Sequence, residues 1–149
     1  MPFAMTSRAR IIFALIAICA AAGITISSIS LYHHYGSSKT TYCDFGENFN
    51  CDIVNRSTYS TVFGMPVALI GMVGYAGLLG LATHYRRRTA TPMILLTASL
   101  AGLSFALYLT YIEAFVLATW CVLCLSSLVI ILVITALASY LAAGSRLQA

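Results

Sequence analysis

Four long apolar runs, interrupted mainly by small or hydroxyl-bearing side chains, set the pattern of the chain. They extend from about Ile11 to Leu31, Phe63 to Ala82, Pro92 to Phe115 and Trp120 to Ala143. Each provides the roughly 20 residues a helix needs to cross a bilayer core, and a helix satisfies its own backbone groups in lipid. Pro66 falls in the first turn or so of the second run. Pro92 opens the third, where its missing N–H costs nothing. The one sizeable polar stretch, about Tyr32 to Val62, begins with Gly36, Ser37 and Ser38 and ends in a Ser/Thr-rich run. Its middle, Cys51 to Tyr59, is expected to form a short helix lying on the membrane surface. The pattern therefore predicts an all-α integral membrane protein. It is expected to be a four-transmembrane-helix bundle in one domain, residues 1–149, with an outer loop carrying a short interfacial helix.

Composition agrees with lipid as the main solvent. Of the 149 residues, 60% are hydrophobic and 8% charged, against about a quarter charged in a soluble domain. The net charge of +4 is too small to read as a nucleic-acid footprint, but its placement is informative. With four crossings, Arg8, Arg10, Arg86, Arg87, Arg88 and Arg146 share one side. Lys39 and Arg56 fall on the other, with Asp44, Glu47, Asp52 and Glu113. The excess of basic residues marks the cytoplasmic face, so both termini are expected inside and the loop of about residues 32–62 outside. The first run follows a basic stretch, as a signal peptide would, but exceeds the usual apolar length of about 7–15 residues. It reads as a retained span.

This topology sorts the five cysteines. Cys43 and Cys51 lie in the outer loop, and Cys121 and Cys124 form a C-x-x-C at the outer end of the fourth span, all on the side where disulfides persist. Cys19 is mid-span and reads as a packing residue. Two cysteines three apart in the first helical turn can close a small disulfide ring. The helix N-terminus favours a thiolate on the earlier one, Cys121. At the start of a membrane span, the pair borders the lipid phase from which a quinone would arrive. A loop pair can instead reach a soluble partner, and thiol–disulfide exchange can link the two. Two structural disulfides bracing a non-catalytic tetraspan scaffold, or a shared zinc ion, are alternatives. The spacing of Cys43 and Cys51 is wide for an all-thiolate zinc site.

Several pieces together resemble the vitamin K epoxide reductase family: Cys43-Asp-Phe-Gly through Cys51-Asp, Ser57 six residues beyond, Phe63-Gly64-Met65-Pro66 leading into the second span, and the stretch from Tyr108 to the Cys121/Cys124 motif. The resemblance implies that Cys124 faces the quinone and bonds to it transiently, that Cys121 exchanges with Cys51, and that Cys43 exchanges with a protein substrate. It also implies that Ser57 organises the loop over the pocket, and Ser57, Ser60, Phe63 and Tyr111 are expected, with Cys124, to contact the quinone. Vertebrate members carry Asn, Tyr and Phe where this chain has Ser60, Leu128 and Asn55. Those departures favour the prokaryotic role: oxidation of a separate thioredoxin-fold periplasmic protein, with electrons passed to ubiquinone or menaquinone in a bacterial inner membrane. The alternative is a vitamin K epoxide or quinone reductase of the endoplasmic reticulum. In the DsbB family, a functional cousin, the order of the two cysteine pairs is reversed.

Three further features are notable. Glu113 is expected to snorkel at the outer interface, with a proton-relay role as the alternative because quinone reduction consumes protons. His33 and His34 are expected in a solvated turn at the membrane edge. Asn55-Arg-Ser57 is a glycosylation sequon on the outer loop.

Overall fold

The computed structural model describes residues 5–36 and 46–148. Cys43, together with the outer-loop residues around it, lies outside the described residues. Helix α1 (Ser7–Tyr35) begins at Thr6, whose Oγ1 accepts the Ala9 N–H at 3.2 Å. The short helix α2 (Cys51–Asn55) leads through a 3₁₀ turn (Thr58–Ser60) into a small hairpin, β1 (Thr61–Val62) and β2 (Met65–Pro66). Three more long helices follow: α3 (Val67–Thr83), α4 (Thr91–Ile112) and α5 (Val122–Leu147). Pro92 sits in the first turn of α4. A single π turn, Glu113–Leu117, prolongs α4 and ends at Ala118 in the left-handed region (φ 48°).

The spans α1, Thr91–Leu117 and α5 are each long and apolar enough to cross a membrane, and α3 is a shorter apolar helix. Many of their large apolar side chains, such as Ile18, Val73, Leu107 and Val129, point away from the protein interior. That arrangement suits hydrocarbon rather than water as the surrounding medium. The chain is a multi-pass membrane protein.

Several boundaries differ from the sequence expectation. The loop helix expected over Cys51 to Tyr59 ends at Asn55 and gives way to the 3₁₀ turn. The last helix begins at Val122, leaving Trp120 and Cys121 extended. Residues 63–66, expected within the second span, belong instead to the hairpin, because Phe63 and Gly64 both take positive φ (52° and 79°) and form its two-residue turn. Helix α1 continues one turn beyond Leu31. His33 and His34 therefore lie on helix rather than in a solvated turn, and His33 is buried beside Asp52 (Nδ1–Oδ1 3.5 Å).

Helix α1 packs most extensively on α3 and α5, and α4 on α5, while α3 and α4 touch far less. The common core includes Phe13, Ile16, Leu95, Ile134 and Leu141. Gly23 lets α1 approach α3: a Cβ there would lie 2.5 Å from the Tyr75 ring. The Tyr75 hydroxyl, 2.9 Å from the Ser127 carbonyl and 2.8 Å from its Oγ, ties α3 to α5. Gly23→Leu is accordingly expected to force the two helices apart and cost about 1–3 kcal/mol, measured by denaturant unfolding in detergent. At the opposite end from the loop, Arg146 reaches Met93 Sδ at 3.9 Å, and Arg88 stacks over Tyr85.

Candidate active site

The loop is brought to α5 by backbone pairing. The Trp120 N–H donates to the Asn48 carbonyl at 2.8 Å, and the Asn50 N–H donates to the Trp120 carbonyl at 3.1 Å. This parallel bridge, Phe49 beside Trp120, sets Cys51 and Cys121 just beyond the paired residues. Asn50 then starts α2, its Oδ1 accepting the N–H groups of Asp52 and Ile53 at 3.0 and 3.1 Å. Cys51 and Cys121 are both buried, and with Val54 they form one cluster against which Cys124 packs. Cys51 is disulfide-bonded; Cys121 and Cys124 are free thiols.

Cys121 immediately precedes α5 and lies outside the helix itself. Its hydrogen bond with the Cys124 side chain holds its thiol below the ordinary value for cysteine. A lowered thiol value raises the thiolate fraction, which is the nucleophilic form.

Asn55 is the polar node beneath the loop. Its Oδ1 accepts from Ser30 Oγ at 2.7 Å, and its Nδ2 donates to the Cys51 carbonyl at 2.9 Å and faces Cys121 Sγ at 3.9 Å. His34 donates from Nδ1 to the Asn55 carbonyl at 2.5 Å. A glycan on Asn55 is incompatible with this fold, since the buried side-chain amide is already engaged.

Beside Cys124 opens a cavity of about 490 Å³. Its long apolar walls come from α3 and α4, including Gly71, Gly74, Phe105 and Leu109, where those two helices meet least. Its polar groups include His34, Asn55, Ser57 and Ser60. Size and lining suit a small apolar molecule oriented by a few polar contacts, and a quinone fits that description.

Ser57 and Ser60 line this cavity with Cys124, and both hydroxyls also shape the local turn: Ser57 Oγ donates to the Val54 carbonyl at 2.8 Å and Ser60 Oγ to the Ser57 carbonyl at 2.7 Å. The two aromatic positions are elsewhere. Phe63 is fully exposed at the hairpin tip, because its left-handed backbone turns it away from the bundle. Tyr111 is 59% exposed on the outer surface of α4, against Phe115. Neither lines the cavity.

Glu113 does not snorkel. It is 2% exposed, its Oε2 accepts the Cys121 N–H at 3.1 Å, and it lines the cavity with Cys124. The π turn, a feature frequent at functional sites, begins at this residue. Only its position within an otherwise apolar span marked it in the sequence. Asn55 carried no such signal.

Helical spans, a C-x-x-C at a helix start and an adjoining apolar cavity define a membrane redox protein. The chain matches the model of the vitamin K epoxide reductase family over residues 14–139 and belongs to that family, whose members are oxidoreductases.

Proposed function

We propose that the chain is a quinone-dependent thiol–disulfide oxidoreductase that drives disulfide formation in a separate thioredoxin-fold protein. The observation that carries this reading is the burial of Cys51 and Cys121 in one cluster with Cys124 at the cavity wall. In this scheme Cys43 and Cys51 take electrons from the partner protein, and Cys51 exchanges with Cys121. The Cys121/Cys124 dithiol then reduces ubiquinone or menaquinone in the cavity. Each cycle converts one dithiol and one quinone into one disulfide and one quinol.

The chain would cross the membrane four times, α3 included, in a bacterial inner membrane. Arg8, Arg10, the Arg86–Arg88 run and Arg146 would face the cytoplasm, and the cysteine pairs the periplasm. A quinone would reach the cavity from lipid between α3 and α4, and the partner would meet the loop from the aqueous side. The apolar walls favour the acceptor's hydrocarbon portion, while Ser57 and Ser60 provide polar contacts near Cys124.

The exchange step has a direct test. In Cys43→Ala, Cys51 has no loop partner to release it, so attack on an oxidised Cys121/Cys124 pair should leave a Cys51–Cys121 disulfide. Non-reducing peptide mapping after quinone treatment is expected to find that link as the main product. Cys51 remaining a free thiol beside an intact Cys121–Cys124 disulfide would refute the relay.

A further inference from the structure

Forming a disulfide from the Cys121/Cys124 dithiol releases two protons, and turning a quinone into a quinol takes up two. The site just described is closed by apolar helices, so the proton route is a separate question from the electron route. Glu113 is the buried carboxyl at this point. Oε2 accepts the Cys121 N–H, and the carboxyl also faces the Cys124 thiol, with Oε1 making no other hydrogen bond among the described residues. The carboxyl is close enough for its charge to be felt at both the Cys121 and Cys124 sulfurs. Among the described residues, none of those lining the cavity is Lys or Arg. An ionisable group without a cationic partner at such a depth is costly, and marks a functional position by default.

We propose that Glu113 is the proton-transfer residue of the inner cysteine pair, carrying thiol protons to the oxygens of the quinone. The inference rests on the quinone-reducing reading above. The carboxylate takes the proton of the Cys124 thiol, and as the carboxylic acid gives it to one quinone oxygen. The Cys121 proton follows by the same route to the second oxygen. Two S–H bonds break and one S–S bond forms; two electrons pass from the sulfurs to the quinone, and Glu113 ends as it began. The titratable groups that face this exchange are the two thiols and, on the same cavity, His34, Tyr59 and Tyr75. Accepting the Cys121 N–H also fixes the carboxyl at the start of α5, so a purely structural role is the rival explanation.

Glu113→Gln separates the two. The amide oxygen still accepts the Cys121 N–H, but the side chain carries no proton. With the full chain in detergent, a small dithiol as donor and a short-chain ubiquinone as acceptor, kcat is expected to fall about 100-fold or more. KM should change little, and the part of the pH–rate profile due to the carboxyl should disappear. Exchange between the outer and inner pairs, followed by alkylation without quinone, should keep its wild-type rate. Quinone reduction at the wild-type rate with an unchanged profile would overturn the proposal. Equal loss of thiol exchange would overturn it too, in favour of a structural role.

Should Glu113→Gln not fold, Glu113→Asp carries the test by setting the carboxyl one methylene back. A slowed rate with a retained pH dependence is expected, and an unchanged rate contradicts the proposal. Wild-type protein that reduces no quinone would instead refute the parent reading, so the wild-type control tells the two failures apart.

Discussion

Cys124→Ser is expected to reduce quinone no faster than a control lacking the protein, while the helical bundle stays folded. The substitution changes one atom at a half-buried position at the cavity wall, and serine in the first turns of a helix costs only a few tenths of a kcal/mol. A hydroxyl can neither form a disulfide with Cys121 nor deliver electrons, so the loss is total rather than graded. Quinol formation followed by absorbance checks the activity, and circular dichroism with a thermal scan checks the fold. Cys19→Ala is the matching control. Cys19 is packed against the core of α1, away from the cavity lining, and its removal should leave quinone reduction intact. Substantial quinone reduction by Cys124→Ser would mean that another group meets the acceptor.

The second large effect is expected at Asn55. Replacing it with leucine keeps most of the volume but removes the amide that joins Ser30 of α1, the Cys51 carbonyl and the Cys121 sulfur. Ser30 can turn back to its own helix, so the cost is not that of three lost bonds. Leaving buried polar groups poorly satisfied should weaken loop docking by about 1–3 kcal/mol. At about 1.4 kcal/mol per factor of ten, exchange between Cys51 and Cys121 should slow by roughly 5–140-fold. Quinone reduction by a small dithiol acting directly on the inner pair should change much less. Measuring both rates on one preparation makes the split visible: equal slowing would show that Asn55 acts mainly through the cavity it lines, and no slowing of exchange would show that the loop is held without it.

The sequence made the helices legible because their signal is compositional and long. A largely apolar run of some 20 residues without charges has few other solutions. The C-x-x-C was legible as a pair at the start of the last helix, but its spacing did not show that Cys121 is extended and only Cys124 lies within α5. The hairpin was not. Phe63 in a left-handed turn contradicts local preference, which assigns that conformation to glycine or asparagine, so residues 63–66 read as the beginning of a helix. The aromatic positions were misplaced for a related reason. Spacing gives a residue's height along a span but not the face it takes, and Tyr111 turns to the outer surface beside Phe115.

Glu113 shows the opposite error. A carboxylate near a helix end is usually solvated, and only the π turn with the Cys121 N–H makes burial workable here. The contacts of Asn55 and His34 depend on how the loop docks between α1 and the start of α5. That docking is set by backbone pairing between residues 48–50 and Trp120, which leaves no pattern in side-chain type. The sequon at Asn55 shows how a short local motif can describe a residue whose tertiary setting rules out the modification.

The central claim is that electrons from the cysteine pairs reach a quinone through Cys121 and Cys124. Its most direct test is an anaerobic titration of the fully reduced wild-type chain with a short-chain ubiquinone. Quinol is counted optically, and each cysteine's state is read by alkylation and mass spectrometry. One disulfide should form for every quinol, first at Cys121/Cys124 and then at the loop pair. Quinol formed with both cysteine pairs still reduced, or cysteines unchanged in the presence of excess quinone, would contradict it.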